Sequence, residues 1–217
     1  MLKSRIALFF TLASTYAFGG PNLVQNFSFE NFTTPGVSIV TSSTLGSSSS
    51  VAANWNIWNN SAGSTTTLLC PDDPLCPIGG PAPRDGQRLI YINTNAAFNG
   101  IWQAWDVANS GNTNATTNAY IYIVSGEVIV GTGNDGSTVP ELTLTQTGNW
   151  LNVTWYNSSP FNKPANEVIF YSNNGPAVFY IDAVTAFDGL PEPATFGLMG
   201  IALAGLGFIA RKRSQQQ

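Results

Sequence analysis

Histidine is absent from all 217 residues. That removes the commonest general base, the Ser-His and Cys-His nucleophile systems and nearly all zinc chemistry. Charge is scarce as well: Asp, Glu, Lys and Arg make up 9% of the chain, where about a quarter is usual. Between Gly20 and Leu190 only Arg84, Arg88 and Lys163 are basic, against eleven acidic residues, a net charge of −8. Nucleic-acid binding needs a basic footprint, so no nucleic-acid partner is expected. Cysteine is limited to Cys70 and Cys76, in a segment broken by Pro71, Pro74, Pro77, Pro81 and Pro83. The region shows no internal repeat and no apolar pattern of helical period.

What is present is β-patterning with neutral polarity from Asn, Ser, Thr and Gly. Runs at Arg88–Asn93, Gly100–Val107, Ala119–Val130, Leu142–Thr145, Trp150–Tyr156, Glu167–Tyr171 and Val178–Val184 read as strands, with Ser125-Gly126 as a turn or bulge. Nine or ten short strands separated by Gly/Asn/Ser/Pro turns predict an all-β sandwich. The Ser/Thr-rich run Thr41–Ser50 reads as a flexible loop. In an exported chain the isolated pair Cys70 and Cys76 reads as a small disulfide loop, with Asp72 and Asp73 as turn residues.

The two ends carry addresses. Lys3 and Arg5, the apolar run Ile6–Ala13 and the small residues after it read as a signal peptide over 1–19, with cleavage suited after Ala17 or after Gly19. The exported domain is then 20–190. At the other end stand Pro191, Glu192 and Pro193, the seventeen apolar residues Ala194–Ala210, and Arg211, Lys212 and Arg213. As a helix the run measures about 25 Å, at the short end of what crosses a bilayer core of about 30 Å. The basic triplet halts transfer and keeps the terminus cytoplasmic. Motif, helix and basic cluster in this order resemble the PEP-CTERM sorting signal, over 191–217. The resemblance implies recognition by exosortase, a membrane-embedded cysteine transpeptidase that removes the helix, in a Gram-negative bacterium that makes extracellular polysaccharide. The protein would be transiently anchored in the inner membrane, then reach the cell surface or the extracellular matrix.

The domain's first and last segments carry a second resemblance. Asn22-Leu23-Val24-Gln25-Asn26-Phe27-Ser28-Phe29-Glu30, read as a half-buried strand, is similar to the opening of galactose-binding-like sandwiches, with Phe27 where that pattern has Gly. Ala177-Val178-Phe179-Tyr180-Ile181-Asp182-Ala183-Val184 resembles their closing strand. The resemblance implies a jelly-roll β-sandwich of the kind found in carbohydrate-binding modules. It also implies a structural calcium held by Glu30 and Asp182, since carboxylate oxygens suit this hard ion.

Motifs for chemistry are few. Gly131-Thr132-Gly133-Asn134-Asp135-Gly136 fits G-x-G-x-x-G, but Val139-Pro140 and another strand follow where a dinucleotide site needs a helix. It reads as a hairpin loop. Nothing in the sequence brings two carboxylates together as a glycosidase requires, so no catalytic residue is assigned. The six tryptophans are more informative, because sugar rings stack on exposed aromatic planes while buried aromatics build cores. Trp150 is assigned to the core. Trp55, Trp58, Trp102 and Trp105 are the stacking candidates; members of each pair, three positions apart in extended chain, face opposite sides. The expectation is a non-catalytic, exported protein that binds a polysaccharide or another matrix component. The rivals are a structural surface protein acting through protein contacts and, further off, a glycoside hydrolase.

Overall fold

A computed structural model describes residues 22–104, 114–134, 137–145, 147–158 and 167–188. The domain Asn22–Asp188 is a sandwich of two six-stranded antiparallel sheets. The strands are β1 (Ile39–Ser42), β2 (Gly46–Ser49), β3 (Asn56–Asn59), β4 (Thr65–Cys70), β5 (Leu89–Thr94), β6 (Asn99–Ala104), β7 (Asn114–Ser125), β8 (Val128–Asn134), β9 (Ser137–Leu144), β10 (Trp150–Ser158), β11 (Glu167–Ser172) and β12 (Ala177–Asp188). Sheet 1 runs β1-β4-β5-β12-β7-β10 and sheet 2 runs β2-β3-β6-β11-β8-β9. The chain passes repeatedly between the sheets, so the all-β sandwich expected from the strand pattern, and the jelly roll implied by the resemblance of its two end segments, is the architecture found. No helix among the described residues is long and apolar enough to cross a membrane. The apolar run Ala194–Ala210 and both terminal signals lie outside the described residues.

Alternation of side chains along each strand builds the core. Ile90 and Ile92 of β5, Ile121 and Ile123 of β7, and Phe179 and Ile181 of β12 point inward from sheet 1. Ile57 of β3, Ile101 of β6, Val168 and Phe170 of β11, and Val128 and Val130 of β8 meet them from sheet 2. Trp55 and Trp155 pack on Phe170 with ring centroids 6.1 Å away in each case. The turn at Ser125-Gly126 is where the sequence places it, with Gly126 at φ +83°, and it carries the chain from β7 in sheet 1 to β8 in sheet 2.

Two segments differ from expectation. Thr41–Ser50 is not one flexible loop: it contains the end of β1 and all of β2. Both are edge strands, β1 on β4 and β2 on β3, and an edge tolerates the small polar residues that a central strand does not. Asn22–Glu30 is not a strand but a turn-rich lead-in, with Asn26 and Phe29 at positive φ. Its Val24 and Phe29 are buried although strict alternation would set them on opposite faces, and it joins the sheets through bonds such as Leu23 N to Ala186 O (2.9 Å), Val184 N to Phe27 O (2.9 Å) and a reciprocal pair between the Gln25 backbone and the Gln103 side chain.

Candidate functional site

Parity decides where each tryptophan ends. Trp55 is 1% exposed and sits in the core against Phe29, ring centroids 5.1 Å apart. It offers no plane to a ligand, which corrects its candidacy. Trp58, three residues on, emerges half-buried on the outer face of sheet 2. Trp102 emerges on the same face from β6, and Trp105 lies outside the described residues.

The register sets these rings in two rows across sheet 2. One row reads Ser47, Trp58, Gly100, Tyr171, Ile129, Thr143. The other reads Ser49, Asn56, Trp102, Ile169, Gly131. Gly100 is required where it stands, because a Cβ there would meet the Phe170 carbonyl oxygen at 2.0 Å. Its bare backbone also lets the Trp58 and Tyr171 rings meet over it edge to face, 5.7 Å apart. Trp102 donates its indole N–H to Ser47 Oγ at 3.0 Å. Ser47 is on β2, two strands away, so the indole reaches across β3 to the edge strand. Neither row contains a charged side chain.

The opposite face, on sheet 1, carries a second aromatic group. Trp150 was expected in the core; the strand parity instead buries Val153 and Trp155 and turns Trp150 outward, half-buried. Its ring contacts the edges of Tyr120 (6.4 Å) and Tyr122 (5.8 Å), and its N–H donates to the Ala82 carbonyl at 3.2 Å. The Arg84 guanidinium lies 4.8 Å from the Tyr120 ring centre. Beside Trp150, Asn118 Nδ2 donates to Asn152 Oδ1 and Thr154 Oγ1, both at 2.7 Å, and Asn152 Nδ2 donates to the Tyr120 hydroxyl at 3.3 Å. A groove of about 570 Å³ runs between β10 and the end of β9, from Thr143–Thr145 to Trp150–Thr154.

Glu30 and Asp182 converge on one loop. Asp182 Oδ2 accepts the N–H groups of Arg84 (2.5 Å) and Asp85 (3.0 Å), while Oδ1 accepts that of Ala183 (2.7 Å). Glu30 Oε1 accepts the N–H groups of Gln87 (2.6 Å) and Arg88 (3.0 Å), and Oε2 faces Arg88 Nη1 at 3.2 Å. Arg88 Nε in turn pairs with Asp72. The carboxylates are therefore ringed by N–H donors and one guanidinium, whose charge would repel a cation at the same place. This donor set does not fit calcium, and no group of three or more His, Cys, Asp or Glu side chains suited to a metal occurs among the described residues. The pair acts instead as a clasp on Arg84–Arg88. Burial pushes the Asp182 carboxyl up to about 6, aided by Asp85 and opposed by its three N–H partners.

Cys70 and Cys76 are bonded to each other. Asp73 is the turn residue expected: Oδ1 accepts Leu75 N (2.7 Å) and Oδ2 accepts the Ser38 hydroxyl (2.7 Å).

Comparison with known proteins adds an address and a set of likenesses. Residues 190–213 match the PEP-CTERM protein-sorting motif. No curated protein matches the chain. The CBM22-1 xylan-binding domain from Paenibacillus barcinonensis Xyn10C is similar at 14% identity and a TM-score of 0.49, covering 80% of this chain and 99% of that one. The C-terminal family 22 carbohydrate-binding module of Clostridium thermocellum Xyn10B is similar at 14% identity and 0.47, covering 64% and 88%. The family 11 module of the cellulosomal cellulase Lic26A-Cel5E of Clostridium thermocellum is similar at 13% and 0.41, covering 69% and 98%.

Proposed function

We propose that this is an exported, non-catalytic protein whose β-sandwich binds a neutral polysaccharide at the cell surface or in the extracellular matrix. The observation that carries the reading is the Trp102 indole, half-buried on the outer face of sheet 2 and tethered there to Ser47. A sugar ring stacks its C–H face on such a plane. Ser47, Ser49, Asn56 and Thr143 lie in the same two rows and supply neutral donors and acceptors for hydroxyls. The absence of charge from the rows suits a neutral polymer, and the domain's net charge of −8 disfavours polyanions. Tyr171, Ile129 and Ile169 in the middle of the rows are buried with Trp58 and Trp102 packed against them, so stacking falls to those two half-buried rings and hydrogen bonds set orientation.

The sorting motif at 190–213 supports the rest of the reading. Exosortase recognises Pro191-Glu192-Pro193 in the inner membrane of a Gram-negative cell and removes the helix, after which the domain reaches the outside.

Gels loaded with neutral glucans, xylan or galactans test the binding. Retardation on at least one of them, reduced by Trp58→Ala and by Trp102→Ala, is the expected result. Absence of retardation on every polymer would leave the rival, a structural protein acting through protein contacts. That rival is favoured by one feature, the exposed Leu75 just before Cys76 and Ile78 just after it.

A further inference from the structure

We infer that the domain grips two polysaccharide chains at once, the second on the outer face of sheet 1 beside Trp150, and so bridges them. This rests on the glycan-binding reading above but concerns a different face. Outer faces of the two sheets point in opposite directions, and sheets in a sandwich stand about 10 Å apart. One extended chain cannot lie on both.

The outer face of sheet 1 has the parts of a sugar site in its own right. Trp150 is fixed from three sides, by Tyr120, by Tyr122 and by its N–H bond to the Ala82 carbonyl, so its plane is held without a ligand. The ladder of Asn118, Asn152 and Thr154 runs along the strands beside it, on the exposed outer face. Each carboxamide has two N–H donors and an oxygen with two lone pairs. Both Asn118 N–H groups are taken within the ladder, which leaves its oxygen open among the described residues. Asn152 uses one N–H on Tyr120 and keeps the other, and Thr154 accepts a bond while its own hydroxyl proton remains available. These are paired donors and acceptors of zero net charge, the complement of a chain of secondary hydroxyls. At the edge of this face, where β10 borders β9 of sheet 2, the groove lined by Thr143–Thr145 and Trp150–Thr154 contains no ionisable group. Arg84 stands to one side, over Tyr120. The occupant that matches this chemistry is a neutral polysaccharide, the same class as on the other face.

Bridging is read by light scattering. The full chain, kept in a detergent without sugar groups, is mixed with soluble mixed-linkage β-glucan and, separately, with soluble xylan. The expected result with the polymer that retards the protein is scattering that rises, peaks and falls again as protein is added, because excess protein leaves each module holding one chain. Trp150→Ala and Trp102→Ala should each keep part of the gel retardation and lose at least tenfold of the peak scattering. Asn152→Ala, an exposed change that spares the aromatic packing, should do the same as Trp150→Ala. If retardation persists but the Trp150 and Asn152 variants scatter like the parent, the second grip is refuted while glycan binding stands. If Trp102→Ala alone abolishes all retardation, one face does all the binding and bridging is again refuted. No retardation of the parent by any polymer removes the glycan reading itself.

Discussion

Trp55 and Trp58 differ by three positions and by everything that matters for binding. Their opposite facing follows from extended-chain geometry and was legible in the sequence; which of the two is buried was not, because that depends on which sheet β3 joins. Trp150 shows the same limit. Its neighbours Leu151, Val153 and Trp155 alternate with it, so the parity was readable, but both alternatives place a tryptophan in the core. At this scale Ser47 is the sharpest test. Ser47→Ala removes the tether of the Trp102 indole without touching the core, and a neutral hydrogen bond contributes roughly 0.5–1.5 kcal/mol. Affinity electrophoresis should show retention weakened by about 2- to 10-fold, with a melting temperature lowered by no more than about 2–4 °C. Asp182 gives a second residue-scale test. Its carboxyl is raised to about 6 by burial, above the 3.8 of a free side chain, so the folded state penalises the ionised form. The penalty is full above about pH 6 and disappears as pH falls toward the unfolded value. Chemical denaturation at pH 7.5 and pH 5 should therefore show the parent gaining stability on acidification relative to Asp182→Asn. An identical pH response in the two proteins would show that Asp182 is not buried as a charge.

Among the elements, strands were readable and clasps were not. The runs that became β5, β7, β10, β11 and β12 announce themselves by β-branched and aromatic alternation. The Ser/Thr run resembled a loop because edge strands have one unpaired side and little apolar content, so composition alone cannot separate them. The approach of Glu30 and Asp182 to one loop, across separations of 57 and 98 residues, is a product of topology. The resemblance marked both residues correctly as partners of a common feature but named a cation where N–H groups and Arg88 stand. A chelator should accordingly leave the melting temperature unchanged; a fall in its presence would show that a metal displaces those donors. Gly86 belongs to the same clasp: at φ +66°, it lies where a Cβ would meet Glu30 Oε1 at 2.1 Å. Gly100 tests the outer face of sheet 2. Its Cβ would collide with backbone of β11 rather than with a movable side chain, and such overpacking costs typically 1–3 kcal/mol. Gly100→Ala should lower the melting temperature by several degrees and weaken glycan retention, since β6 carries Trp102 and the glycine lets Trp58 and Tyr171 meet.

For the whole molecule, address and activity come from separate parts of the chain and fail separately. The Pro-Glu-Pro motif, apolar run and basic triplet were fully legible because a membrane reads length, hydropathy and charge, which are sequence properties. A binding face is assembled from six strands and is legible only after folding. The disulfide between Cys70 and Cys76 fits an oxidising compartment, in agreement with the sorting motif at 190–213. If exosortase acts on this chain, the tripeptide and the helix have distinct duties: the helix and Arg211-Lys212-Arg213 stop transfer, and Pro191-Glu192-Pro193 is the site of recognition. Replacing only the tripeptide with alanines leaves hydropathy and basic charge in place, so insertion should proceed and cleavage should not. Immunoblots of inner-membrane fractions should then show a full-length species that accumulates, with the shorter form missing from the cell surface and the medium. The altered chain should still bind polysaccharide when extracted, because nothing in the sandwich has changed. Identical processing of the altered and parent chains would show that the tripeptide is not what the protease reads.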